Sequence, residues 1–458
     1  MIEPIAINDF AQSCGGRLVP SAAGKVAKIK GLAIDSREVR AGDLFAALSG
    51  ERVDGHSFAA QAANDGASAV LVERQLDVSC AQIVVPSVAR AVADFGRLAR
   101  QHFTGVLVGV TGSAGKTTAK NLLAAVLKEA GNTVATRGNL NNELGVPLTL
   151  STLKPTTEFG VVEMGAGKPG DIAYLQAIVQ PTVAVLLGVA PAHIEYFGSL
   201  EAIAETKGAI LDGLPPTGLA VINGDLPWSA AWQARGAPAQ VVTFGFNKGV
   251  DVRAKDIELR GFSGSRFKAV TEQGAMAVEL ALPGRQGIAN ALAAIAVGQS
   301  LGLSHAAITR ALASVKPAAG RGAPTLLANG VRLIDDTYNA NPLSVAAALE
   351  VLASCSGHRR VVLGSMLELG DQAQQYHRDM GSKARALGID ELWAVGELAQ
   401  LATEAFGDSR YCYPTVEALL AAHPVCAHAN TVLVKASRGA ALDRLITVWQ
   451  RAEGSGTC

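Results

Sequence analysis

Runs of apolar residues alternate with amphipathic stretches along most of the chain, and this alternation predicts parallel sheets covered by helices on both faces. From residue 105 the order strand, loop, helix occurs three times, with strands at GVLVGV, FGVVEM and TVAVLLGV and helices over 116–130, 170–179 and 200–211. Residues 250–282 break this rhythm and predict antiparallel strands. Two more helices are predicted over 284–301 and 304–315.

The pattern differs at the two ends of the chain. The first hundred residues contain short apolar strands and a helix over 87–103 that Ser87 can cap. Beyond 317 the alternation returns with strands at VVLGSM, ELWAVG and TVLVKAS, after an Asn329-Gly330 pair that predicts a type I′ hairpin. We therefore predict an α/β protein of three domains: a small mixed α/β domain over 1–104, a central parallel-sheet domain over 105–317 and a Rossmann-like domain over 318–458.

Composition narrows the possible functions of this chain. Its 458 residues include 40 Lys plus Arg and 40 Asp plus Glu, so the chain lacks the basic surplus that would indicate nucleic-acid binding. The sequence MIEPIAINDF lacks the features of a secretory signal, and glutamine and proline interrupt the longest uncharged stretch, 172–192, so we expect a cytoplasmic protein without membrane insertion. The cysteines at 14, 80, 355, 412, 426 and 458 form no C-x-x-C pair, which suits a reducing compartment. The balanced charge makes a monomer the default expectation.

The sharpest local signal is GVLVGVTGSAGKTTAKNLLAAVL. A buried strand ends at Val110, small residues form a tight turn, and Lys116 opens an amphipathic helix, although the spacing departs from G-x4-G-K-[ST] because position 110 is valine. Backbone N–H groups in such a turn bind phosphates, Lys116 can reach the β- and γ-phosphates, and the Thr117 hydroxyl can bind Mg²⁺. The pattern predicts a P-loop, ATPase-like central domain; the alternative is a glycine-rich turn with a surface lysine.

Other polar residues follow the expected carboxyl ends of the strands in the central domain. Glu163 follows an apolar strand, where a carboxylate can hold Mg²⁺ or cap the next helix. His193 follows the third strand and is either a ligand or an ordinary loop residue. Lys207 lies among acidic residues on the next predicted helix, and the pattern alone favours a solvated lysine.

In the third domain, RLIDDTYNANPLS places many short polar side chains at the end of a strand. Such side chains suit the binding of sugar hydroxyls and phosphate-linked groups. The alternative is that Asn, Asp and Ser make turns and a helix cap here.

Together these segments resemble the Mur ligase family of ATP-dependent enzymes that form peptide bonds, and the resemblance covers nearly the whole chain. It rests on DSREVRAGDLFAALSGERVDGHSF, TGSAGKTT, GNLNNELGVPLTL, VVEMGAG, IDDTYNANPLS and VLVKASRG, in this order. The chain has no D-N-P-R motif, which the diaminopimelate-adding member of the family usually carries. The DDTYNANP form instead resembles the member that adds a dipeptide.

The resemblance implies a site for ATP and two Mg²⁺ ions. Thr117 and Glu163 would hold the ion that bridges the β- and γ-phosphates, and His193 would lie at a second ion. A carbamylated Lys207 would be a further metal ligand, which reverses the interpretation from the pattern alone. The phosphates would lie on Gly112, Ser113, Ala114, Gly115, Lys116, Thr117 and Thr118.

The resemblance also assigns roles outside the P-loop. Asn290 would contact adenine, Arg321 the ATP phosphates and Asp336 the ribose. The catalytic set would be Lys116, Glu163, His193, Lys207 and Arg321. Substrate-binding residues would be Ser36, Arg37, Asn141, Asn142, Tyr338, Asn339, Asn341, Lys435, Ser437 and Arg438.

The implied reaction joins D-alanyl-D-alanine to UDP-N-acetylmuramoyl-tripeptide through an acyl phosphate, with a hinge at 316–320 that lets the domains close over the ligands. The alternatives are another ligase of this family, such as a tripeptide-forming or folate polyglutamating enzyme, a P-loop kinase, or a nucleotide-dependent switch. A kinase would stop at phosphoryl transfer, and a switch would need neither His193 nor Lys207.

Overall fold

The computed structural model describes residues 3–21, 28–50 and 53–454, which form α/β layers around sheets of five, nine and six strands and a two-stranded ribbon. The predicted α/β fold class is confirmed. Glu51 and Arg52 of the first motif, and Cys458, lie outside the described residues. Within those residues, no helix is both long and apolar enough to cross a bilayer.

The N-terminal region builds the five-stranded sheet in the order β2-β7-β6-β5-β4, in which only β2 pairs antiparallel. Ser87 caps the last helix by accepting a hydrogen bond from the Arg90 N–H. The elements are β1 (Ile5–Ala6), α1 (Ile7–Ser13), β2 (Arg17–Val19), β3 (Lys28–Ile29), β4 (Gly31–Ala33), β5 (Asp43–Ala46), α2 (Ala59–Asn64), β6 (Ala69–Val72), β7 (Ala81–Val84) and α3 (Val88–Gln101).

The central region builds the nine-stranded sheet in the order β16-β15-β14-β13-β12-β11-β8-β10-β9. Its last three strands in sequence are antiparallel, as the break at 250–282 predicts. The elements are β8 (Val106–Thr111), α4 (Lys116–Lys128), β9 (Thr133–Ala135), α5 (Gly145–Leu150), β10 (Phe159–Glu163), α6 (Asp171–Val179), β11 (Val183–Leu186), α7 (Ile194–Phe197), α8 (Leu200–Gly208), β12 (Leu219–Asn223), α9 (Ser229–Gly236), β13 (Gln240–Gly245), β14 (Val252–Leu259), β15 (Ser265–Thr271), β16 (Gly274–Leu280), α10 (Gly284–Ser300) and α11 (His305–Ser314).

The C-terminal region builds the six-stranded sheet in the order β17-β18-β22-β19-β20-β21, in which β17 alone pairs antiparallel. The elements are β17 (Ala323–Leu326), β18 (Arg332–Asp336), α12 (Pro342–Ala353), β19 (Arg359–Gly364), α13 (Ala373–Ala386), β20 (Glu391–Val395), α14 (Glu397–Phe406), β21 (Cys412–Tyr413), α15 (Val416–Ala422), β22 (Thr431–Lys435) and α16 (Asp443–Gly454).

The hairpin between β17 and β18 is present, but the predicted type I′ turn is wrong. That turn needs a positive φ at both central residues, and only Gly330 has one, at +83°. The Gly330 N–H donates to the Leu327 carbonyl at 3.0 Å, and the Leu327 N–H donates to the Val331 carbonyl at 2.9 Å. The loop is therefore a three-residue connection closed by a left-handed glycine.

Helix α3 joins the first two regions into one hydrophobic core. Its buried Phe95 packs in the same cluster as Ile172 of α6 and Trp232 of α9. At Gly96 the helix approaches α5 so closely that a Cβ atom would lie 2.9 Å from the Cβ of Pro147. The predicted limit at 104 therefore separates two sheets but not two hydrophobic cores.

Candidate functional site

A cleft of about 510 Å³ opens where the carboxyl ends of β8 and β10 and the loop after β11 face the C-terminal region. Such an edge of a parallel sheet is the expected place for ligand binding. Most of the predicted site residues line it: Ser113, Ala114, Gly115, Lys116, Thr117, Thr118, Asn141, Asn142, Glu163, His193, Asn290, Arg321, Asp336, Tyr338, Asn339, Asn341 and Lys435.

The turn between β8 and α4 is held in shape by hydrogen bonds to backbone carbonyls. The Ser113 N–H donates to the Gly188 carbonyl at 2.9 Å, and the Lys116 ammonium donates to the Gly112 carbonyl at 2.9 Å. Gly115 has a φ of +81°, and a Cβ atom there would lie 2.7 Å from Oδ1 of Asn290. Glycine is therefore required at 115 both by conformation and by the approach of α10.

Glu163 ends β10 and is buried, with 1% of its surface exposed. Its Oε1 accepts a hydrogen bond from the Asn141 amide at 2.7 Å. Its Oε2 lies 3.8 Å from the Lys120 ammonium and has no hydrogen-bond partner. The next helix begins after Gly170 without any side-chain cap, and Asp171 in its first turn accepts from the N–H groups of Gly167 and Lys168 in the preceding loop. The capping alternative for Glu163 is therefore excluded.

Two buried oxygens in the cleft lack a hydrogen-bond partner, Oγ1 of Thr117 and Oε2 of Glu163. A hydroxyl and a carboxylate are ligands that Mg²⁺ accepts when phosphates and water complete its shell. In the described part of the chain, no three His, Cys, Asp or Glu side chains group together as a metal site. The pair thus fits an ion shared with a phosphate chain better than an all-protein cage.

Three cations, Lys116, Lys120 and Arg321, lie in or beside the cleft. Burial lowers the pKa of Lys116 and of Lys120, the Glu163 carboxylate opposes this shift, and the Arg321 guanidinium adds to it. Lys120 is held by a hydrogen bond of 3.0 Å to the Gly138 carbonyl. Positive side chains gathered in this way form a strong site for a polyanion.

Lys207 on α8 is buried, with 2% of its surface exposed, so the interpretation from the pattern as a solvated lysine is wrong. It does not line the cleft, but the charge of Lys116 acts on it. Burial lowers the pKa of Lys207 well below its usual value, the charge of Lys116 adds to this, and the carboxylate of Asp171 opposes it. The lowered pKa makes the neutral amine of Lys207 easier to reach than that of an exposed lysine.

His193 precedes α7 in the left-handed region, with a φ of +56°. Its Nδ1 is in ion-pair contact with the Glu368 carboxylate of the C-terminal region. The imidazole therefore meets the cleft from one side and the C-terminal region from the other.

The C-terminal region contributes a charged aromatic wall. The Arg321 guanidinium lies 3.9 Å from the centre of the Tyr338 ring, and Arg438 approaches the same ring at 5.9 Å. The Lys435 ammonium donates to Asp336 at 2.7 Å. Burial raises the pKa of Asp336, and the Lys435 charge opposes this shift.

Several predicted site residues have structural partners. Asn341 caps α12 by accepting from the Ser344 N–H at 2.8 Å, and Asn142 accepts from the Gly145 N–H at 2.9 Å. Ser437 accepts from the Leu367 N–H at 3.0 Å. The predicted residues that do not line the cleft are Gly112, Lys207, Ser36, Arg37, Ser437 and Arg438.

Ser36 and Arg37 lie on a helical turn of the N-terminal region. Asp35 accepts two hydrogen bonds from the Arg37 guanidinium, at 2.9 and 2.6 Å. The adjacent Glu38 pairs with Arg137 at 2.7 Å, which connects this turn to the loop that carries Asn141. The turn is thus placed beside the central region rather than in the cleft.

The sequence analysis missed four residues of this arrangement. Lys120 and Gln286 lie four residues from Lys116 and Asn290 on α4 and α10, and this helical spacing could have indicated both. Asp171 and Glu368 carry no such signal.

Comparisons with known proteins agree with the motifs. The chain matches the family models described as Mur ligase family, catalytic domain, over 28–105, Mur ligase middle domain over 110–298, and Mur ligase, glutamate ligase domain, over 320–438. A curated relative from Escherichia coli strain K12, UDP-N-acetylmuramoyl-tripeptide–D-alanyl-D-alanine ligase, is 39% identical over 93% of this chain and 94% of its own length.

Solved structures agree as well. MurF from Acinetobacter baumannii superposes with a TM-score of 0.88 at 34% identity, over 98% of this chain and 99% of that one. MurF ligase from Thermotoga maritima in complex with ADP gives a TM-score of 0.80 at 31% identity, over 93% of this chain and 98% of that one.

Proposed function

The chain belongs to the Mur ligase family, and from this premise we propose that it joins D-alanyl-D-alanine to UDP-N-acetylmuramoyl-tripeptide with ATP. The product is the UDP-linked pentapeptide precursor of peptidoglycan, with ADP and phosphate. The observation that carries the proposal is the cleft, where the P-loop, Glu163, Arg321 and Lys435 face one space. The relative from Escherichia coli named above for this reaction matches almost the full chain.

ATP lies with its phosphates on the P-loop. The Lys116 ammonium exchanges the Gly112 carbonyl for oxygens of the β- and γ-phosphates, which lie within reach because this side chain lines the cleft. Asn290, packed beside Gly115, meets the adenine, and Asp336 meets the ribose. Arg321 reaches the phosphates from the opposite wall.

Thr117 and Glu163 hold Mg²⁺, which fits their unpaired buried oxygens. When bound, the ion neutralises the phosphate charge that repels an incoming carboxylate. His193 and a carbamylated Lys207 serve a second ion. Carbamylation requires the neutral amine, whose lone pair adds to CO₂ with loss of a proton, and the lowered pKa of Lys207 supports this role.

The tripeptide carboxylate attacks the γ-phosphorus in line, which breaks the bond to ADP and forms an acyl phosphate. The amine of D-alanyl-D-alanine then adds to the acyl carbon, and the tetrahedral oxyanion collapses to the amide and phosphate. Lys116 and Arg321 neutralise the charge on the transferred group. The C-terminal wall excludes water that would otherwise hydrolyse the acyl phosphate.

The test is phosphate release with ATP, UDP-N-acetylmuramoyl-tripeptide and D-alanyl-D-alanine, omitting each in turn. Sustained release is expected only with all three, together with a product enlarged by the dipeptide. Equal phosphate release without the dipeptide would indicate an ATPase, and ADP formation without phosphate release would indicate a kinase; either result would overturn the proposal. A monomer is expected by light scattering, at about the chain mass of 47.1 kDa.

A further inference from the structure

Helix α7 is a contact point between the central and C-terminal regions. The residue before it, His193, meets Glu368, and the Glu195 N–H donates to the Glu368 carbonyl at 3.5 Å. Ile194 packs against the hydrophobic cores of both regions. Glu368 therefore reaches His193 as part of a docked surface and not as a lone side chain.

The loop over 365–370 that carries Glu368 is fixed from behind by its own region. Nε2 of His377 accepts from the Met366 N–H at 2.9 Å, and the Ser437 hydroxyl accepts from the Leu367 N–H at 3.0 Å. Glu368 itself has a φ of +62°, an uncommon conformation for a residue other than glycine. The surrounding contacts hold this backbone and aim the carboxylate at the imidazole.

The contact with the Glu368 carboxylate determines which nitrogen of His193 faces the cleft with a lone pair. A carboxylate only accepts hydrogen bonds, so Nδ1 must carry the proton that Glu368 receives. In the neutral ring Nε2 then keeps its lone pair, and no other side chain among the described residues hydrogen-bonds to His193. Carboxylates that fix a histidine in this way are common behind ligand-binding imidazoles.

We propose that Glu368 is a positioning residue for His193 that the C-terminal region contributes. It fixes the Nδ1–H tautomer and the ring orientation, so His193 is ready to act in the cleft only when the C-terminal region is docked. This inference rests on the proposed function, because it concerns the use of His193 at the ATP site.

The kinetic test is a double-mutant cycle. Glu368→Ala is expected to lower kcat about 10- to 100-fold, with a smaller change in KM for the UDP substrate, and Glu368→Gln to retain more activity. In a His193→Ala background the same change should cost nothing further, because the residue through which Glu368 acts is gone. Asp371→Asn, an exposed change on the adjacent turn, is the matched control and should leave kcat unaltered.

The second measurement does not depend on turnover. In protein labelled with ¹⁵N-histidine, the His193 signal, identified by its loss in His193→Ala, should show the Nδ1–H tautomer in the parent and in Asp371→Asn. In Glu368→Ala it should shift toward Nε2–H.

Equal losses of kcat in both backgrounds, or a tautomer that Glu368→Ala leaves unchanged, would overturn the inference. A parent protein that shows the Nδ1–H tautomer but no ligase turnover would instead count against the proposed function alone. If Glu368→Ala does not fold, Glu368→Leu, which cannot accept a hydrogen bond, carries both measurements.

Discussion

The N-terminal and C-terminal regions meet the central region in opposite ways. The N-terminal region shares a continuous apolar core with it through α3, and the Arg100 guanidinium donates to the carbonyls of Val179 and Gln180 across the junction. The C-terminal region faces it across a polar cleft, and the apolar contacts there include Ile194 and Phe262. The first two regions thus share one apolar core, whereas the third faces them across a polar cleft.

Because of this difference, the apolar junction stabilises the fold, whereas the polar cleft carries the candidate site. Apolar burial stabilises the first junction whether or not ligands are bound. The second junction keeps buried oxygens without hydrogen-bond partners, and the charge of Arg321 acts against that of Lys116; a bound polyanion with its metal ion would compensate both. Substitutions at the two junctions should therefore affect different measurements.

The largest effect is expected at the shared core. Phe95→Ala removes a fully buried ring that packs edge-on against Phe10, with ring centres 5.1 Å apart. It should cost about 3–5 kcal/mol of unfolding free energy and destabilise the N-terminal and central regions together in denaturant titration. Phe58→Ala, at a ring that is 37% exposed, is the control and should cost much less. Separate transitions for the two regions would contradict a shared core.

The next effect belongs to the cleft. Lys116→Met should lower turnover about 10²- to 10³-fold, because one cation that meets the transferred phosphoryl group is lost. The free energy of unfolding should not fall. Burial lowers the pKa of Lys116, which means that keeping this ammonium charged costs free energy in the folded state. Lys128→Met, an exposed change at the end of the same helix, is the matched control. Undiminished phosphate release by Lys116→Met would refute the ATP site.

A pH effect of intermediate size is expected at the loop that docks on α7. Burial lowers the pKa of His377 from its usual value of 6.5, so below that pH the unfolded chain binds more protons than the folded one. The contribution of His377 to the free energy of unfolding should therefore be fully present above pH 6.5. It should fall as the pH falls toward the folded pKa, by at most about 1.4 kcal/mol per pH unit. His377→Gln should flatten this slope in urea titrations at pH 5 and 7.5. An unchanged slope would exclude His377 as its source.

The smallest effect is expected at the charged rim of the first junction. Arg137→Ala breaks the exposed pair with Glu38, which should cost about 0–1 kcal/mol and less at high salt. If this variant separated the two regions, the ion pair rather than the apolar core would hold them. Thermal unfolding at two salt concentrations distinguishes these cases.

Local features of the site could be predicted from the sequence because their physics is local. The apolar strand, the small residues after Val110 and the helix that starts at Lys116 fix the P-loop within one short segment. The position of Glu163 at a strand end follows from the same alternation. The family resemblance implied that Lys207 is a metal ligand, whereas the pattern of polar and apolar residues alone favoured a solvated lysine.

Features that depend on distant segments could not be predicted in this way. The burial of Lys207 depends on how α8 packs, and the partner of His193 comes from another region of the chain. The polar segment after β18 serves both predicted purposes, helix capping and ligand binding. Asn341 caps a helix, while Tyr338 and Asn339 face the cleft. Residue type alone does not separate these two uses.

The apolar core that α3 builds between the first two sheets also has a consequence for inhibitor design. A rigid compound that bridges the N-terminal region and the P-loop meets two surfaces whose mutual orientation is already set, so little entropy is lost in aligning them. A compound that bridges the P-loop and Tyr338 instead spans the polar cleft, whose two walls share no continuous apolar core of this kind. Bisubstrate molecules of equal size should therefore gain more affinity along the first axis than along the second.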